Sequence, residues 1–107
     1  MKLEEVLKYL DEIAPFKLQE EYDNSGLQIG DMKSEVSSAL LALDCTEEVL
    51  DEAIKLSSNL LIVHHPLLFK GVKSVGNTSE LDRIIRKAIK NDIAIIAIHT
   101  NLDNVIH

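Results

Sequence analysis

The chain predicts an α/β fold with a mainly parallel sheet flanked by helices, and three observations lead there. From residue 38 onward, short apolar runs alternate with amphipathic segments in the order strand, helix, strand, helix, strand. The runs "LLIV" and "IAIIAI" are apolar almost without interruption, as strands covered on both faces are. The connections are short, and strands joined through helices in this way run parallel with right-handed crossovers.

Each element has its own signal. Leu3, Val6, Leu7, Leu10 and Ile13 recur at helical spacing, and Pro15 closes that helix. "EYDNSGLQIGD" reads as a turn at Asn24, Ser25 and Gly26 followed by a short strand. "SALLALD", residues 38 to 44, has strand length but is ambiguous alone. The next residues resolve it: Thr46 is an N-cap, and Glu47 and Glu48 suit the positive end of a helix. Val49, Leu50, Ala53, Ile54 and Leu56 then form its buried stripe, ending near Ser58. Residues 60 to 63 form a buried strand, and a loop with Pro66, Gly71 and Gly76 spans 64 to 77. Asn77 with Glu80 makes a capping box, with Thr78 as the competing cap. Leu81, Ile84, Ile85, Ala88 and Ile89 line one helical face closed by Lys87, Lys90 and Asn91, and 93 to 98 is the last strand.

Bulk properties narrow the function classes. At 107 residues the chain is one domain at most, either a single α/β domain over 1 to 107 or the N-terminal half of a longer one. The net charge of -7 argues against non-specific nucleic-acid binding and against an anionic membrane surface. One cysteine, Cys45, makes no internal disulfide. Acidic residues break up the apolar N-terminus, so it does not read as a signal peptide, and no run reaches the about 18 apolar residues of a membrane span. The expectation is a cytoplasmic protein.

Ligands of open α/β sheets bind beyond the carboxyl ends of the strands. Three strand ends carry polar residues here: Asp44, then His64 and His65, then His99 with Asp103 in "HTNLD". That is the composition of a metal site. Adjacent residues of extended chain point in opposite directions, so two neighbouring imidazoles reach one ion poorly. They serve two ions roughly 3.5–4 Å apart readily, the spacing of hydrolytic two-metal sites. Pro66 restricts His65 to extended backbone and fixes the fork.

Simpler readings stand beside this one. His64 and His65 can be two partly buried histidines bonded to backbone, and Asp103 a turn residue or cap. Asp44 reads most simply as a residue leading into the helix, Cys45 as a small core residue, and Lys70 and Lys73 as solvated loop charges. In an acidic chain the same two lysines would also attract phosphate. Plain Rossmann-like nucleotide binding is disfavoured, because neither G-x-G-x-x-G nor a P-loop comes after any strand.

The blocks "YDNSGLQIG", "LIVHHPLLFKG" and "AIIAIHTNLD", in this order and at these separations, resemble the Nif-three-like family, the GTP cyclohydrolase 1 type 2 homologues. The resemblance spans residues 1 to 107. It implies a layered α/β fold, a dinuclear metal centre and assembly into a hexameric toroid of dimers. It matches His64, His65 and Asp103 to the first three metal ligands, His99 to a histidine beside the site, and Asn24 and Gly26 to a loop near it. Two divalent ions per complete site are implied, with Zn, Fe, Ni and Mn all compatible with the donors. Family members run to about twice this length or more. Their remaining ligands, a His and a Glu spaced H-x-x-x-E, lie beyond the third ligand, so this chain is expected to hold the N-terminal half of a site and to expose apolar surface. The family label implies a metal-dependent hydrolase acting on a small molecule such as a nucleotide. The alternative is a metal-binding scaffold or regulatory interaction protein without catalysis of its own.

Overall fold

The computed structural model describes residues 1–16, 24–68 and 72–98. Its seven elements are, in chain order, α1 (Leu3–Ile13), β1 (Gly26–Ile29), β2 (Ala39–Ala42), α2 (Glu47–Lys55), β3 (Leu60–Val63), α3 (Glu80–Lys90) and β4 (Ala94–Ala97). They build an α/β fold around a four-stranded sheet ordered β1-β4-β3-β2. β2, β3 and β4 are mutually parallel, with Leu61 opposite Leu40 on one side and Ile95 on the other. β1 joins the far edge antiparallel to β4. All four residues of β4 are buried, because neighbours flank it and helices cover both faces.

The two-residue period of the strands sorts the core into two layers. Leu61, Val63, Ile95 and Ala97 face α2 and α3, where they meet Leu50, Ala53, Ile84 and Ala88. Leu60, Ile96 and Ala94 face α1 and pack on Leu3 and Leu7. Each Leu or Ile so covered contributes roughly 1.5–3 kcal/mol. Across the α2–α3 surface, Arg83 Nε donates to Glu47 Oε1 at 2.8 Å and Lys87 Nζ to Asp51 Oδ1 at 2.7 Å.

β1 contains a bulge. Gly26 and Leu27 pair with Ala97 and Ile96, but Ile29 then pairs with Ile95, so Gln28 is the extra residue. Leu27 consequently packs on the α1 side of the sheet and Ile29 on the α2–α3 side, although they are two residues apart.

Several helical boundaries differ from expectation. Thr46 caps α2 as expected, its Oγ1 accepting from Val49 N at 3.1 Å. The cap of α3 is Ser79 rather than Asn77 or Thr78: Ser79 Oγ accepts from Asp82 N at 3.1 Å, and Ser79 N donates in return to Asp82 Oδ2. The box therefore pairs Ser79 with Asp82, three residues apart, in place of Asn77 with Glu80. Leu56, expected in the buried stripe of α2, is its C-cap and is exposed, as are Ile13 and Ile89 on their helices. Both later helices end in a left-handed residue that is not glycine, Ser57 (φ 58°) after α2 and Asp92 (φ 53°) after α3. Ser58 N then donates to Ala53 O and Ile93 N to Ala88 O, returning the chain tightly toward β3 and β4. At the open edge, Leu41 of β2 is 75% exposed and Leu43, just after the strand, 69%.

Candidate metal centre at the carboxyl edge of the sheet

Because β2, β3 and β4 are parallel, their carboxyl ends share one edge. His64 and His65 sit there directly after β3. Their backbone amides extend the ladder: His64 N donates to Leu43 O at 3.2 Å and His65 N to Leu43 O at 3.0 Å. On the other side Ile98 N donates to Val63 O at 2.9 Å. The main chain under the two imidazoles is thus held from both neighbouring strands.

The two residues lie in a bend, and their rings meet edge to face instead of pointing apart as extended chain would have them. Their centroids lie 5.0 Å apart and their planes cross at 81°. His64 is half-buried and His65 exposed. Asp44, one of the polar strand ends and read most simply as a lead into α2, lies at the end of β2 with its Oδ1 2.5 Å from His65 Nδ1. An ionised carboxylate only accepts hydrogen bonds, so this contact puts the hydrogen on Nδ1. Thr46 does the capping that Asp44 could have done.

A second group of contacts holds the segment after Pro66. Gln28, buried within β1, donates from Nε2 to Asn24 O at 2.8 Å and accepts from Leu68 N at 2.9 Å. Asn24 Nδ2 donates in turn to Leu68 O at 3.0 Å. The "DNSG" turn and the "HHPLL" segment are therefore laced together by one buried amide and one exposed one. Gly26 has φ 117°, a conformation that favours glycine and suits the sharp approach of this turn to β1. Gln28 is not a candidate on sequence grounds, whereas Asp44 is one of the polar strand ends, read most simply as a residue leading into α2. For Gln28 the available signal is a polar residue amid the apolar positions of "GLQIG".

The remaining candidates sort simply. Cys45 packs against the α2–α3 core, and burial, with Glu80 as a smaller cause, pushes its thiol up to about 11. It is a core residue, and its thiol is poorly suited to act as a nucleophile. Lys73 is exposed. His99, Asp103, Lys70 and His107 lie outside the described residues, as does the expectation that Asp103 converges on the histidines. Among the described residues no three His, Cys, Asp or Glu side chains gather as a metal site would need. The donors present nevertheless suit borderline divalent ions: two imidazoles, one with its second nitrogen hydrogen-bonded to a carboxylate. A cavity of about 360 Å³ opens at the opposite, amino-terminal end of β4 between Gly30, Asp92 and Ile93, and no histidine or cysteine lines it.

Known proteins share both sequence and shape with this chain. A GTP cyclohydrolase 1 type 2 homolog of Clostridium perfringens is 44% identical over 105 residues, 98% of this chain and 40% of that protein. The crystal structure of Staphylococcus aureus protein SA1388 superposes with a TM-score of 0.93 at 50% identity, covering 96% of this chain and 29% of that one. A Bacillus cereus protein related to NIF3 gives 0.90 at 46% identity, covering 96% of this chain and 28% of that one. The chain therefore spans less than half the length of these relatives. No described helix is long and apolar enough to cross a membrane. The family model described as Duf34/NIF3 (NGG1p interacting factor 3) matches residues 1–107, and the chain belongs to that family.

Proposed function

We propose that this chain contributes part of a dinuclear metal centre to a hydrolase acting on a nucleotide or a related small molecule. The observation that carries the reading is the fork of His64 and His65: two imidazoles 5.0 Å apart, crossing at 81°, at the carboxyl edge of a parallel sheet. Rings side by side at this separation suit one nitrogen donor to each of two neighbouring ions. Asp103, close in sequence beyond β4, would add the hard oxygen ligand. Divalent ions held there supply Lewis acidity and water activation. The histidines contribute neutral donors that most of Zn, Fe, Ni and Mn accept. The protein would work as a homo-oligomer, and the open edge of β2 with exposed Leu41 and Leu43 supports an assembly that covers it.

The test is elemental analysis of the natural-length protein as wild type and as His64→Ala, His65→Ala and Asp103→Ala. Two ions per chain in wild type, with a specific loss in each folded variant, is the expected result. Two ions retained in every variant, with only thermal stability lowered, would return the histidines to a structural role.

A second reading, a metal-binding interaction protein without catalysis, draws on the family description as an NGG1p interacting factor. Hydrolysis of GTP and other nucleotides that is lost on chelation and restored by metal supports the enzyme. A metal-loaded protein that turns over none of them supports the scaffold.

A further inference from the structure

Asp44 and His65 come from different strands and are 21 residues apart, yet their side chains meet at 2.5 Å. The fold leaves this meeting little freedom. Asp44 stands between the β2–β3 ladder, where Leu43 O accepts from both His64 N and His65 N, and Thr46, which caps α2. Its backbone is pinned on both sides, so its carboxylate is presented to the neighbouring strand end. His65 is fixed likewise by the ladder before it and by Pro66 after it.

The pair is poorly placed to act as a stability device. The two side chains are 50% and 59% exposed, and exposed pairs of this kind contribute little to folding. What the contact does set is the position of the ring hydrogen. A carboxylate accepts and does not donate, so it favours the tautomer with hydrogen on Nδ1 and the lone pair on Nε2. It also holds the ring against rotation. Histidines that ligate metals almost always have the other nitrogen bound in this way.

We propose that Asp44 is a positioning residue that holds His65 as the Nδ1–H tautomer and presents Nε2 as the ligating nitrogen. The proposal rests on the metal reading above for the role of Nε2, but the tautomer itself does not depend on a metal.

Two measurements separate these parts. The first is nitrogen-15 NMR of the His65 ring in metal-free protein in mildly alkaline buffer, for wild type, Asp44→Ala and Asp44→Asn. Wild type is expected as Nδ1–H. Asp44→Ala should relax toward the Nε2–H form that isolated imidazole prefers in water. Asp44→Asn, which keeps an acceptor oxygen, should retain most of the wild-type signature. An Nε2–H ring in wild type, or a ring unchanged in Asp44→Ala, overturns the proposal. The second is titration with Zn²⁺ alone, using natural-length protein. The affinity should fall about 10- to 100-fold in Asp44→Ala and less in Asp44→Asn. Equal affinities in all three overturn the positioning role. Absence of Zn²⁺ binding in wild type overturns the metal reading and the ligand role of Nε2 with it, while the tautomer result stands by itself.

Discussion

Gln28 Oε1 accepts the backbone hydrogen of Leu68 at 2.9 Å, joining residues 40 positions apart through one buried side chain. Gln28 is itself the extra residue of the bulge in β1, the position that has no partner on β4. The same amide holds Asn24 O, so one side chain sets the distance between the turn before β1 and the segment after the histidines. Gln28→Ala should cost about 1–3 kcal/mol in chemical denaturation, the range for stranding a buried polar partner. Gln28→Glu should cost more, since an ionised carboxylate cannot donate to Asn24 O.

The cap of α3 discriminates between neighbouring residues. Ser79→Ala should destabilise by about 1 kcal/mol, with Asn77→Ala close to neutral in the same thermal or denaturant melts. The Asp82 carboxyl is held below its ordinary value chiefly by the backbone N–H of Thr78, with those of Gly76 and Ser79 adding to it. Stability from that carboxylate is present above the ordinary Asp range and is lost as acid protonates it, so Asp82→Asn should flatten part of the acid limb of a stability–pH curve.

Gly30 lies at φ 145°, and a Cβ there would stand 2.8 Å from Ala94 Cβ and 3.0 Å from Leu3 Cδ2. The crossing of β1 past α1 and β4 thus requires a residue without a side chain. Gly30→Ala should cost roughly 1–3 kcal/mol from overpacking, added to the strain of its backbone, and circular dichroism melts would register it.

Cys45 offers a chemical readout of packing. With its thiol at about 11 against an ordinary 9.0, its thiolate population near neutral pH is about 100-fold below that of an exposed cysteine. Iodoacetamide should label the folded chain at least that much more slowly than the denatured chain. The sign of the pH effect comes from proton counting. Between pH 9 and about 11 the unfolded chain has released this proton and the folded chain has kept it, so stability falls with rising pH across that window. Cys45→Ser should remove that part of the alkaline loss.

The parallel sheet and its helices are legible in the sequence because periodicity reports burial, and burial governs these elements. Leu60 through Val63 and Ala94 through Ala97 could hardly be anything but covered strands. The position of His64 and His65 at the end of β3 is legible too, but their edge contact is not, because it arises in a bend that adjacency in extended chain does not foresee. The pairing of Asp44 with His65 and the role of Gln28 are not legible either. Asp44 acquires its partner only when β2 and β3 align in register, and Gln28 is the residue of a bulge, which leaves no periodic trace. The cap of α3 differs from expectation for a local reason, because "NTSE" offers three polar residues within one turn and the loop before it decides which one starts the helix.

The antiparallel pairing of β1 with β4 has a kinetic consequence. Gly26 finds its partner only in Ala97, so the sheet cannot close until the strand that sits at its centre has been synthesised. On a ribosome, β1 emerges before β2, α2, β3 and α3 yet has no strand to pair with until β4 follows. Local helix formation and the β2–β3 unit can start early, but the longest loop closes last, and loops of high sequence separation close slowly. Until then Leu3, Leu7 and Leu27 have no Ile96 to cover, which makes the N-terminal segment the part of the nascent chain with most need of a chaperone.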